Sequence, residues 1–247
     1  MKTTIIILLS ILSFLNVSAQ ATVRIYGKVT DFNSIPIDSV SVRLKNDKFE
    51  NLYETLTDKK GYFSMNVTKG NYYCLYAIKE TDYGKTKLEY WAWNVPLYSD
   101  MKVNPQYERM EIFGVNVFEP RVTPYETYMI YFRPMSLTKS LKITNEENKK
   151  AFQQKATKNH DTIEIAPNNI SPEELTIKLN ENEVKVLNIQ KIIEYARGAY
   201  MFSYIVQILK PKEGITSTDG YDKISVMLHS KETNEIGKSE IFVKKRE

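Results

Sequence analysis

The stretch VRIYGKVTD, residues 23–31, opens the part of the chain that decides the fold. Apolar and polar residues alternate along it, and the alternation returns in residues 39–44 (SVSVRL) and 62–67 (YFSMNV). Turn-forming residues, among them Pro36 and Gly61, separate these runs. Period-two alternation interrupted by turn residues is typical of antiparallel strands. This part of the chain therefore predicts a small antiparallel β-sandwich.

The turn residues have physical roles of their own. Asp58 can accept hydrogen bonds from backbone N–H groups two residues further on, and Gly61 supplies the positive φ that a tight turn requires. Phe63 follows at a position that faces the predicted core. A slip of one residue would turn each apolar row to water, so the strand register is well specified.

The order and spacing of these residues resemble the carboxypeptidase regulatory-like domain, a prealbumin-type β-sandwich. The resemblance rests on residues 27–31 (GKVTD), 36–42 (PIDSVSV), 57–63 (TDKKGYF) and 70–72 (GNY). It implies a prealbumin/Ig-like sandwich and an accessory role in an exported bacterial protein. The metallopeptidase domain that such modules often accompany has no counterpart here, so the resemblance does not imply peptidase activity.

The first nineteen residues predict export. Lys2 precedes an apolar run over residues 5–15, and small residues follow up to Ala19. This is the pattern of a secretory signal peptide, residues 1–19. A membrane anchor is the alternative, but a bilayer span needs about 20 apolar residues. We therefore expect a periplasmic, cell-surface or extracellular protein with no membrane span after cleavage.

Composition narrows the class of partner. The chain has 247 residues and a formal net charge of +4, which becomes +3 when Lys2 is removed with the signal peptide. So weak an excess gives no electrostatic reason to expect a nucleic-acid partner. The one cysteine, Cys74, rules out an internal disulfide and is expected to be a buried, inert thiol.

The whole chain is predicted to be all-β, with two β-sandwich domains joined by a polar linker. The first domain spans residues 20–137 and the second spans 162–247. Residues 138–161 are charged and form either a solvated linker or a short helix over 146–156. In the second domain, residues 189–196 are compatible with either helix or strand.

The catalytic inventory is small. His160 and His229 are far apart in sequence, and neither belongs to a zinc-binding pattern. Nucleophile elbows and phosphate-binding glycine loops are absent as well. We therefore expect no catalytic residues, no metal, no cofactor and no enzymatic activity.

The candidate ligand site lies in an aromatic stretch of residues 81–109, predicted to be a long and irregular loop. Trp91 and Trp93 project to the same side of an extended chain, and two exposed indoles there would form a platform for sugar rings or for an apolar patch of a protein. Tyr90 and Tyr98 are weaker members of this site. The alternative is that one or both indoles cap the core between the two domains.

The leading functional hypothesis is a non-enzymatic envelope protein that binds a partner protein or a polysaccharide. Glycan binding through Trp91 and Trp93 is one specific form of it. The other is a structural subunit of an envelope assembly, in which strand edges recruit a second chain by β-addition.

Overall fold

The computed structural model describes residues 21–120, 126–144, 162–196, 199–210 and 220–245. Within these ranges the secondary structure is almost entirely β, which confirms the predicted all-β class. The strands are β1 (Thr22–Lys28), β2 (Ser41–Lys45), β3 (Asn51–Leu56), β4 (Tyr62–Thr68), β5 (Gly70–Ile78), β6 (Tyr90–Leu97), β7 (Met101–Lys102), β8 (Met110–Phe118), β9 (Thr127–Ser136), β10 (Thr162–Ile163), β11 (Leu175–Leu179), β12 (Asn182–Glu183), β13 (Val186–Ala196), β14 (Ala199–Leu209), β15 (Tyr221–His229) and β16 (Ile236–Lys244). A short helix, α1 (Leu137–Thr144), follows β9, and a 3₁₀ turn at Pro172–Glu174 precedes β11.

The first sandwich is built as the sequence predicts. β1 pairs antiparallel with β4, and its residues alternate between exposed and buried positions. The turn before β4 has the predicted geometry: Asp58 Oδ1 accepts the backbone N–H groups of Lys60 and Tyr62, each at 2.8 Å. Gly61 has a φ of +78°, and Phe63 is buried. These predictions for the turn and its flanking core residue are confirmed.

Two sheets form this sandwich. The small sheet has the order β4–β1–β7, and it faces one end of an eight-stranded sheet, where β3, β2, β5 and β6 are neighbours. The two sheets meet at a corner near Thr68, whose backbone oxygen accepts the Tyr72 hydroxyl at 2.6 Å and whose side chain bonds to the Tyr53 hydroxyl at 3.0 Å.

The eight-stranded sheet contains strands from both predicted domains. Its order is β12–β11–β15–β16–β6–β5–β2–β3, so β6 and β16 are neighbours although they come from opposite sides of residues 138–161. They pair in parallel, with Ser239 beside Trp91 and Ile241 beside Trp93. A five-stranded sheet, β10–β14–β9–β8 with β13 on the free side of β14, packs over this part. The two predicted units therefore share one sheet and one buried cluster, and they are not joined by the linker alone.

The structure can be compared with the predictions for some single segments and not for others. Residues 189–196, compatible with helix or strand, belong to strand β13. The predicted signal peptide and the possible helix over 146–156 lie outside the described residues. The domain bounds of 20–137 and 162–247 stay predictions. No helix in the described ranges is long and apolar enough to cross a bilayer.

Candidate functional site

The two tryptophans lie on strand β6 and not in a loop. β6 is held between β5 and β16, and both indoles are 5% exposed. Their rings stack on each other with centroids 5.1 Å apart and an interplanar angle of 16°. With neighbours on both edges, β6 is buried at seven of its eight residues, and Asn94 is the exposed one. For this reason the prediction of an irregular loop at Trp91 and Trp93 was wrong.

Four further aromatic rings surround the stacked indoles. Phe113 contacts both indoles edge-on, with centroid distances of 5.4 Å, and Phe49 contacts both at 6.0 and 6.4 Å. Tyr73 packs against Trp93 at 5.7 Å, and Tyr76 packs against Trp91 at 4.8 Å. Edge-to-face contacts of this kind stabilise a packed cluster. Their residues come from three separate segments, which only the sheet register brings together.

This burial answers the question that the sequence left open. An exposed indole platform requires accessible ring faces, and the structure instead has Trp91 and Trp93 in the core, as the alternative stated. Tyr90 is fully buried, and its hydroxyl donates to Glu240 Oε2 at 2.8 Å. Tyr98 lies just beyond β6 and is 47% exposed. A ligand-binding role for these four residues stays a prediction, but the exposed platform does not fit the structure.

Two buried carboxyl groups lie beside the tryptophans and were missed by the sequence analysis. Trp91 Nε1 donates to Glu111 Oε1 at 2.7 Å, and Glu89 Oε2 is buried without a hydrogen-bond partner among the described residues. Burial raises the pKa of Glu89 to about 7. Burial, and then the charge of Glu89, raise the pKa of Glu111 well above its ordinary value. Desolvation disfavours the charged form of a carboxyl group, which accounts for the direction of both shifts.

The remaining reactive side chains are in ordinary surroundings. Cys74 is fully buried, which confirms its expected burial, and this burial raises the pKa of its thiol to about 12. His229 is exposed, and its Nε2 lies 3.1 Å from Asn234 Oδ1. His160 lies outside the described residues. Within the described ranges, no three His, Cys, Asp or Glu side chains are grouped as metal ligands.

Strand β13 is an open edge of the five-stranded sheet. It pairs along its length with β14, from Val186 opposite Ile208 to Ala196 opposite Ala199. In the described part of the chain, β14 is the only strand bonded to it. An edge of this kind presents backbone N–H and C=O groups that have no partner in the sheet.

Apolar side chains are exposed along this edge. Leu187 is 44% exposed, Ile193 64% and Tyr195 62%. Its charged residues are bound within the protein: Lys191 donates to the Asn168 carbonyl at 2.7 Å, and Glu194 pairs with Arg133 at 2.5 Å. The sequence partly indicates this apolar surface, because Ile189, Ile193 and Tyr195 are spaced by even numbers and lie on one face of an extended strand. It could not show that this strand is at the edge of its sheet.

Comparisons with known proteins do not assign a family. No protein-family model and no curated protein matches this chain. Among solved structures, a DUF3823 family protein of Parabacteroides merdae is similar at 11% identity and a TM-score of 0.25, over 90% of this chain and 98% of the other. The major pilin subunit BcpA of Bacillus cereus is similar at 12% identity and 0.27, over 91% and 69%. The major pilin SpaA of Corynebacterium diphtheriae is similar at 9% identity and 0.23, over 83% and 61%. Values this low assign no function to this chain.

Proposed function

We propose that this chain is an exported, non-enzymatic β-sandwich protein of the bacterial cell envelope that binds a partner protein at strand β13. In this proposal the partner contributes an extended strand that lengthens the five-stranded sheet by β-addition. The observation that carries it is the open edge of β13, with its three exposed apolar side chains. The pattern of residues 1–19 supports export.

The edge of β13 offers both affinity and selectivity to such a strand. Backbone hydrogen bonds form along an added strand whatever its sequence, while side chains that alternate along the edge select among partners. β13 has eleven residues, more than most strands in globular proteins. Ile193 and Tyr195 would lie beside apolar side chains of the added strand.

Other edges in the described ranges are less suitable. β12 and β7 have two residues each. β10 also has two residues. The edge strands β3 and β4 are six and seven residues long, but they meet at the corner where the Tyr53 hydroxyl of β3 bonds to Thr68 of β4. β8 is covered by β16, which crosses it closely at Gly237. Natural proteins usually protect long edges with charged residues or coverage. β13 has one exposed charged side chain, Lys191, which is bound to the Asn168 carbonyl, and no described strand covers its edge.

The non-enzymatic part of the proposal is supported by the state of the candidate nucleophile. A reactive cysteine has a lowered pKa and a basic neighbour. Lys45 lies opposite Cys74, but burial outweighs its charge and raises the pKa of the Cys74 thiol to about 12. Burial accounts for the raised pKa of both Glu89 and Glu111, and Glu111 accepts a hydrogen bond from Trp91 in the core.

The proposal is tested with edge variants of the mature protein. Ile193→Lys places a charge on the β13 edge and is expected to weaken binding of a partner captured from envelope extract about tenfold. Leu56→Lys is the matched control, because Leu56 is 61% exposed at the end of edge strand β3. Hydrogen exchange supplies a readout specific to β-addition: outward-facing β13 amides should become protected in the complex.

Two outcomes would contradict the proposal. One is a partner whose affinity drops equally in the Ile193→Lys and Leu56→Lys proteins. The other is a complex in which β13 amides exchange as fast as in the free protein. Hydrolysis of peptides or glycosides by the purified chain would contradict the non-enzymatic part.

A further inference from the structure

The outer face of the small sheet forms a groove that is separate from the β13 edge. It has a volume of about 670 Å³, which lies within the range of ligand sites. Its floor is the outward-facing row of β1, made of the exposed Arg24 and the half-buried Tyr26 and Lys28. Register places Tyr62 of β4 opposite Lys28, and Lys102 of β7 beside Tyr26.

The charge of the groove has one sign. Its lining includes Arg24, Lys28 and Lys102 but no acidic side chain. Arg24 is partly neutralised by Asp100 at 3.4 Å, outside the lining. Lys28 and Lys102 form no ion pair with any described residue. Because the mature chain has a net charge of only about +3 by sequence, these cations concentrate positive charge on one face.

Tyrosine rings lie beside the cations. The Arg24 guanidinium lies 4.6 Å from the centroid of the Tyr26 ring, and Lys28 Nζ lies 5.6 Å from that of Tyr62. Tyr62 is 53% exposed. These contacts fix the cations near apolar ring surface, and an exposed ring next to a cation is suited to a ligand that carries both a flat apolar face and a negative charge.

Neutral hydrogen-bonding groups complete the groove. Asn104 Oδ1 accepts the Lys28 backbone N–H at 3.1 Å, which orients the amide and leaves its N–H donors without a described partner. Ser64 faces the groove opposite Tyr26. Phe63 also borders the groove but is itself buried, so the accessible aromatic surface of the lining comes from its tyrosines.

We infer that this groove binds an acidic polysaccharide, with carboxylates on Lys28 and Lys102 and a sugar ring against Tyr62. Hydroxyl groups of the sugar would bond to the amide and hydroxyl side chains of the groove. The carboxylates of an acidic peptide would supply the same charge. Its acidic side chains have no sugar hydroxyl groups for the amide and hydroxyl side chains of the groove, and no flat ring face to pack on Tyr62. The inference does not depend on the β13 edge, because no residue is common to the two surfaces.

The test measures binding of polygalacturonate to the mature protein by affinity electrophoresis at two salt concentrations. Lys28→Gln/Lys102→Gln is expected to weaken binding about tenfold. Tyr62→Ala should weaken it while Tyr62→Phe retains it, because the ring face makes the contact. Lys48→Gln/Lys85→Gln is the matched control: it removes the same charge at two exposed lysines outside the groove, and it should bind as the wild type does.

Three results would overturn the inference. Equal weakening in the two double variants would indicate attraction to net charge alone. Retention of poly-glutamate with the affinity shown for polygalacturonate would indicate an acidic peptide as the better ligand. Equal binding of neutral dextran would exclude a role for the cations. Circular dichroism of every variant separates lost binding from lost folding, and Ile193→Lys should bind polygalacturonate normally.

Discussion

Glu89 is a carboxyl group that the fold shields from water. Its Oε2 is buried without a described partner, and Glu111, Tyr76 and Tyr83 are the titratable groups it influences. Burial raises its pKa from 4.5 to about 7. The folded chain therefore binds the proton more tightly than the unfolded chain. Stability is unaffected by this group below pH 4.5, falls as pH rises towards 7, and stays reduced above it.

Glu89→Gln removes this loss of stability. A neutral amide at position 89 is expected to raise the free energy of unfolding at pH 8 by up to about 3 kcal/mol, and by much less at pH 5. Urea unfolding followed by tryptophan fluorescence at both pH values measures the difference. Glu164→Gln, at an exposed site, should change neither value. An equal gain at pH 5 and pH 8 would show that the effect is not protonation.

At the scale of elements, one glycine allows two strands to cross. A Cβ on Gly237 of β16 would lie 2.1 Å from the carbonyl oxygen of Met110, the first residue of β8. Backbone atoms cannot yield as a side chain can, so Gly237→Ala is expected to destabilise the protein by about 3 kcal/mol. Gly70→Ala is the matched control, because its Cβ would meet nothing within 4 Å. Thermal unfolding compares the two; similar melting temperatures would show that the crossing relaxes freely.

Local patterns explain which elements the sequence could predict. β1 and β4 alternate with period two, and the turn at Asp58 and Gly61 uses residues whose chemistry is local. Burial on both faces removes the alternation from β6, so Trp91 and Trp93 gave no signal that separated a central strand from an aromatic loop. The sequence of β13 also does not show that it is an edge strand, because this depends on which strands pair with it in the folded sheet.

For the whole molecule, the pairing of β6 with β16 is the feature that sequence reasoning could not reach. It joins Ser239 to Trp91 across 148 residues of sequence, and no turn or repeat signals it. Side chains reinforce the backbone contact: Ser239 Oγ donates to the Trp91 carbonyl at 2.9 Å, and Tyr90 bonds to Glu240. The candidate groove also depends on strand register, which places Tyr62 opposite Lys28 and Lys102 beside Tyr26.

This shared sheet leads us to expect that the two predicted units fold together. Both tryptophans belong to β6, so their fluorescence reports on the first unit, while far-UV circular dichroism reports on both. In the mature chain the two signals should change in one coincident urea transition. A fragment of residues 20–144 loses β16 from the edge of β6, β14 from the edge of β9 and Glu240 from the Tyr90 hydroxyl. We expect it to show no cooperative transition.

Co-expression with residues 162–247 tests whether the fragment fails to fold because it lacks β14 and β16, since the second piece supplies both strands. Recovery of the native tryptophan emission in the mixture is the expected result. If the fragment alone unfolded at the urea midpoint of the full chain, the sandwiches would be independent domains, and the β6–β16 pairing would only dock them.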